Sequence, residues 1–127
     1  MCLEIHSNLL SKIYFGSQFT TKSDVYSLGV VFWEIVNRCL KRTYEMPFKE
    51  HKEIEYEFQV IIAVAQKGIR STLPAKCPGL FADLIKQCWK ENPVDRPNCV
   101  QLLSMLQNIQ LEYEKNTKKW DSLVKNH

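Results

Sequence analysis

No stretch of these 127 residues is apolar for long enough to cross a membrane. The N-terminus, MCLEIHSNLL, lacks the basic region and apolar core of a secretory signal. Charge of one sign is also scarce. Seventeen Lys and Arg against 14 Asp and Glu leave a formal +3, too little to indicate a nucleic-acid partner. The five cysteines, Cys2, Cys39, Cys77, Cys88 and Cys99, are odd in number and contain no CxxC pair. A disulfide framework and a zinc site are therefore not expected. Cys88 and Cys99 fall on apolar helix faces, so buried thiols in a reducing compartment are the expectation. His6, His51 and His127 are scattered and have no ligand-like neighbours. Repeats, low-complexity segments and strand-like alternation are missing as well. What remains is a cytoplasmic, all-α protein that engages neither membrane nor nucleic acid.

The helices are written in caps, breakers and spacing. Ser7 precedes Leu9, Leu10, Ile13 and Tyr14, which read as a short helix stopping at Gly16. Thr21 with Asp24 three residues on matches a capping box. It opens a helix to about Cys39 containing KSDVYSLGVVFWEIV, where nine of the twelve residues from Val25 to Val36 are apolar or aromatic. A surface helix keeps a polar face, and this one has almost none. It must be enclosed. Residues 40–52 read as a loop. Phe58, Ile61, Ile62 and Ala65 mark one face of a helix over 53–67, stopped by Gly68. Pro78 suits the first turn of the next helix, which carries Leu80, Phe81, Leu84, Ile85, Cys88 and Trp89. ENPVDRP breaks that helix. Asn98 with Gln101 then caps a last one bearing Cys99, Leu102, Leu103, Leu106, Ile109 and Tyr113. The end, EKNTKKWDSLVKNH, reads as a solvated, fraying basic tail.

Two of these stretches, in this order, resemble the protein kinases. KSDVYSLGVVFWEIV is similar to the central helix of the family's large lobe. LIKQCWKENPVDRPNCVQLL is similar to that lobe's penultimate helix, loop and final helix. YEMPF and IRSTLPAKCP lie suitably between them, and the likeness covers about residues 12–110. Trp33 before Glu34, and Cys88-Trp89 before Asn92-Pro93 and Arg96-Pro97, resemble the tyrosine kinases and the tyrosine-kinase-like serine/threonine group. The resemblance implies the helical C-lobe portion of the protein-kinase-like fold. Its organisation would be a leader or degenerate activation-segment end at 1–11, a partial kinase domain at 12–112 and a basic tail at 113–127. It also implies that the central helix is the enclosed spine of the lobe. Elements that enclose it in the family are missing here, so apolar surface along residues 25–36 is expected to be open.

Phosphoryl transfer in this family needs a glycine-rich loop, a strand lysine with its glutamate, a His-Arg-Asp loop and an Asp-Phe-Gly magnesium site. These 127 residues contain no Gly-x-Gly, no His-Arg-Asp and no Asp-Phe-Gly. No catalytic, cofactor-binding or metal-binding residue is assigned, and ATP and magnesium are implied only for a complete family member. The family positions Asp24, Trp33, Glu34, Trp89, Pro93, Arg96 and Pro97 are structural. Asp24 would hold the catalytic loop in a complete domain; here it reads as a carboxylate at a helix N-terminus. Arg96 would pair with the glutamate of an Ala-Pro-Glu motif. Glu4 in MCLEI is a candidate partner, whereas the family's usual spacing lands on Lys12, of the wrong charge. Two functions follow. One is a partial kinase domain that is inactive alone and completed by the remainder of a kinase domain. The other is a non-catalytic, kinase-derived interaction module. In both, a protein substrate or docking partner would meet residues 40–67.

Overall fold

The computed structural model describes residues 21–52, 59–60, 63–64 and 67–125. Ser7 and its short helix, Glu4, Lys12, and Phe58, Ile61, Ile62 and Ala65 lie outside them. Helices and no strands occur among the described residues, as expected. These are α1 (Thr21–Lys41), α2 (Gly79–Cys88), a 3-10 turn (Pro93–Asp95), α3 (Cys99–Lys115) and α4 (Thr117–Lys125). Residues 59, 60, 63, 64 and 67 are also helical, and Gly68 follows at φ 64°. That is the left-handed stop expected of it. No helix among the described residues is long and apolar enough to cross a membrane.

The enclosure demanded by the composition of α1 is present. Val25, Tyr26, Val30, Trp33, Val36 and Leu40 are all buried, with Leu28 and Phe32 partly so. Leu84, Ile85 and Cys88 of α2 are 0% exposed against them. Burying a Leu or Ile side chain contributes about 1.5–3 kcal/mol, so this seam dominates the core. Its close approach depends on Gly29. A Cβ built there would stand 2.7 Å from the Cβ of Cys88, nearer than two carbons can pack. Along the stripe expected to be open at 25–36, Ile35 is 51% exposed and Leu28, Val31 and Phe32 are half-buried.

The chain's own C-terminal segment supplies part of the cover, and the expected solvated tail is corrected. Asn116 ends α3, with its N–H on the carbonyls of Glu112 and Tyr113. α4 then returns against α1 and α3. Trp120 and Leu123 pack on the core while Lys118 and Lys119 face water. Tyr113 fastens the corner. Its hydroxyl donates to Asp121 at 3.1 Å, and its ring meets Trp120 edge-on at 5.7 Å. An indole among lysines reads as solvated from local composition; a short amphipathic helix half-buries it against the core instead.

Several boundaries also shift. Thr21 is already helical, so it is not the N-cap of α1, and the helix runs on to Lys41. Pro78 is the N-cap of α2, one place before its first turn, and its carbonyl accepts from the Ala82 N–H at 2.9 Å. The capping box of α3 forms as expected. Asn98 Oδ1 accepts from Gln101 N at 2.8 Å, and Gln101 Oε1 accepts from Asn98 N at 2.9 Å. Leu102 and Ile109 hold the buried face of α3, but Leu103 is 57% exposed because it lies about 100° further round the helix. Burial of the thiols holds for Cys88 and partly for Cys77, whereas Cys39 and Cys99 are exposed. Cys99 sits in the first turn of α3, before its buried stripe begins.

Gly29→Ala is expected to destabilise the chain by about 1–3 kcal/mol, because overpacking outweighs the better helix propensity of alanine. Gly79→Ala is the control, since nothing lies within 4 Å of a Cβ there. Urea unfolding midpoints should fall for the first variant and stay level or rise for the second.

Candidate functional site

Two features of the frame stand out chemically. The first centres on Arg96, 2% exposed and therefore not a solvated loop residue. The two prolines flanking the 3-10 turn, Pro93 inside it and the buried Pro97 beyond it, stiffen the backbone that aims this side chain inward. Its Nε donates to the Lys90 carbonyl at 2.7 Å, Nη1 to the Lys22 carbonyl at 3.0 Å and Nη2 to the Glu91 carbonyl at 3.3 Å. Lys22 Nζ donates back to the Arg96 carbonyl. The start of α1 and the connection between α2 and α3 are thus joined in both directions. Glu4 and Lys12, the two alternatives for the residue facing Arg96, lie outside the described residues.

Beneath this arginine is the ring of Tyr26, with the guanidinium carbon 4.9 Å from its centroid. Arg70 places a second guanidinium 5.3 Å from the same centroid. Arg70 is itself anchored by Nε on the Trp89 carbonyl at 2.9 Å and by Nη1 on the Ile69 carbonyl at 2.9 Å. Burial pushes the Arg96 pKa down to about 10; Tyr26 and Cys88 oppose that shift and Arg70 adds to it. The group remains cationic at neutral pH. Burial also raises the Tyr26 phenol, against the pull of Arg70 and Arg96. The Tyr26 hydroxyl is buried and has no hydrogen-bond partner among the described residues. A cleft of about 410 Å³ opens beside the cluster between Lys22, Gln87, Asp95 and Gln101. The two guanidinium groups are held by backbone carbonyls and share one ring, so the cluster ties the lobe together.

The second feature is the loop after α1. Trp33, 2% exposed, donates its indole N–H to the Thr72 carbonyl at 2.9 Å. Glu50 Oε1 accepts from Thr72 N at 2.6 Å, and Ser71 Oγ accepts from Phe48 N at 2.8 Å. His51 Nε2 lies 3.1 Å from the Arg70 carbonyl. The loop is therefore sewn to residues 70–72. Two of its residues have left-handed backbone, Arg42 at φ 61° and Phe48 at φ 66°. Such a conformation costs a non-glycine residue about 1–2 kcal/mol. The stitched loop leaves Tyr44 and Met46 more than half exposed.

The remaining expected positions fall as follows. Asp24 is exposed in the first turn of α1. Glu34 is half-buried and near Tyr44, whose phenol is raised first by partial burial and then by that carboxylate. Trp89, 6% exposed, caps the C-terminus of α2. The structure thus gathers Arg96, Pro93 and Pro97 at one tie, while Trp33 and Trp89 anchor separate connections. Sequence reasoning missed Tyr26 and Arg70. Tyr26 is one more aromatic in an apolar run, and Arg70 is one basic residue in a proline-broken connection. Only their spatial meeting distinguishes them.

Because its hydroxyl is buried and unpaired, Tyr26→Phe is expected to leave the stacked arginines in place and raise stability by about 1 kcal/mol. Tyr26→Leu should lower it. Thermal melts of the two variants check both signs.

Comparison with known proteins agrees with this architecture. Residues 11–106 match the protein tyrosine and serine/threonine kinase family. The stress-activated protein kinase alpha of Dictyostelium discoideum is 44% identical over 113 residues, covering 89% of this chain and 18% of that protein. A probable tyrosine-protein kinase of the same organism is 36% identical over 111 residues, 86% of this chain and 31% of its own length. A serine/threonine/tyrosine-protein kinase of Arabidopsis thaliana is 39% identical over 89 residues, 70% of this chain and 20% of its own length. The chain therefore spans less than a third of each of these relatives. It belongs to the protein tyrosine and serine/threonine kinase family, and the helices within that match are those of the C-terminal part of the kinase large lobe.

Proposed function

We propose that this chain provides the scaffold and protein-docking part of a protein kinase domain, and does not by itself transfer phosphate. The observation that carries this reading is the division of labour within the 127 residues. The lobe's spine, its arginine tie and its capped final helix are all present, while the phosphate-handling motifs are not in the sequence. In a complete family member, ATP and magnesium would be the cofactors and a serine, threonine or tyrosine hydroxyl the acceptor. Among the described residues no group of three or more His, Cys, Asp or Glu could hold a metal ion. Asp24, the acid in the first turn of α1, stands alone there. The remainder of a kinase domain would have to supply that chemistry.

A second reading, a kinase-derived interaction module without catalysis, is favoured by the exposed side chains on the stitched loop after α1. Both readings place a protein substrate or partner against residues 40–67. Unpaired cysteines, with Cys39 and Cys99 exposed, suit a cytoplasmic setting.

Isothermal titration of this chain with ATP and magnesium is expected to show no stoichiometric site of micromolar affinity, and incubation with a generic protein substrate no phosphate incorporation. A micromolar site at one equivalent would contradict the proposal.

A further inference from the structure

The C-terminal end of α1 differs from an ordinary helix end in three ways. Arg42 occupies the position just past the helix in a left-handed conformation, where glycine is the usual residue. Its N–H still bonds to the Arg38 carbonyl at 2.8 Å, so the strained geometry is that of a closed final turn. Ile35 and Arg38 follow at three-residue spacing along one face of the helix, Arg42 stands just past its end, and all three are exposed. Strained residues on otherwise stable elements point toward function.

The acids nearby are turned to other partners. Glu45 pairs with Lys41 at 3.1 Å and accepts from Asn37 at 3.4 Å, which folds the loop back along α1. Glu50 holds the Thr72 N–H. Glu34 lies beside Tyr44. Among the described residues no ion pair engages Arg38 or Arg42. The same end of the molecule exposes Ile35, Tyr44 and Met46, at 51%, 52% and 57%. Two unpaired guanidinium groups beside apolar side chains complement carboxylates beside apolar side chains, and guanidinium binds carboxylate in a two-pronged, directional way.

We propose that the end of α1 and the loop after it form a docking surface for an acidic protein segment with apolar side chains. Arg38 and Arg42 receive its carboxylates; Ile35, Tyr44 and Met46 receive its apolar groups. This inference rests on the reading of residues 40–67 as a docking surface and adds the partner's chemistry.

The test is fluorescence anisotropy of the chain with a short labelled peptide of Glu and Leu. Its Lys and Leu counterpart, and vesicles containing phosphatidylserine, are the comparisons. The Glu peptide should bind, more weakly as salt rises. Arg38→Glu and Arg42→Gly should each weaken it by roughly two- to fivefold, and Ile35→Ser should weaken it too. Arg42→Gly separates binding from folding, because glycine relieves the left-handed residue and should hold or raise the melting temperature while affinity falls. Equal binding of the Lys peptide, still lost in Ile35→Ser, would overturn the acidic partner and leave the docking surface. Capture by vesicles that is lost in the arginine variants would put a membrane in place of the peptide. Binding of neither peptide, with no variant altering it, would overturn the surface as well.

Discussion

One buried cation holds the two halves of this lobe together. Arg96 reaches the carbonyl of Lys22 at the start of α1 and those of Lys90 and Glu91 after α2, elements more than sixty residues apart in sequence. Hydrogen bonds to a charged group contribute about 1.5–3 kcal/mol each, more than a neutral pair, and here they also offset the cost of burying the guanidinium. The ring of Tyr26 beneath it adds a face of partial negative charge. Arg70 approaches the same ring and fixes Trp89, so the aromatic is shared by two cations that brace different connections. Burial lowers the Arg96 pKa, and repulsion from Arg70 adds to that fall. Backbone carbonyls on both sides compensate.

The rest of the packing follows from that tie. With the start of α1 pinned to the α2–α3 connection, α2 lies along α1 closely enough that Gly29 must carry no side chain opposite Cys88. The seam this creates is the driest part of the protein, and burial pushes the Cys88 thiol up to about 12, leaving it an inert filler. α3 closes on α2, and α4 folds back to cover more of α1. At the C-terminal end of α1, away from the arginine, Ile35, Arg38 and Arg42 stay in water together with Tyr44 and Met46 of the following loop.

Much of this was legible in the sequence because the signals are local. A helix without a polar face has to be enclosed, and it is. Asn98 with Gln101 is a capping box wherever the chain goes next, and Gly68 is a stop because only its backbone adopts φ 64° freely. The family was legible because Trp33, Trp89 and the prolines around Arg96 occur in order. What local reading could not supply were the non-local partners. Nothing near Trp120 announces that its helix returns to the core. Nothing near Arg70 announces a tyrosine forty-four residues earlier. Leu103 and Cys99 look like core residues by composition, yet Leu103 faces water by helical phase and Cys99 by standing at the very start of α3.

The central claim is that Arg96 joins the start of α1 to the α2–α3 connection, and amide hydrogen exchange of Arg96→Lys tests it most directly. Lysine keeps the charge but cannot present a guanidinium fork to three carbonyls. Protection should fall by about tenfold or more in the first turns of α1 and in residues 90–97, with the second half of α3 unchanged. Unchanged protection at the start of α1, or an equal loss throughout the chain, would contradict the account.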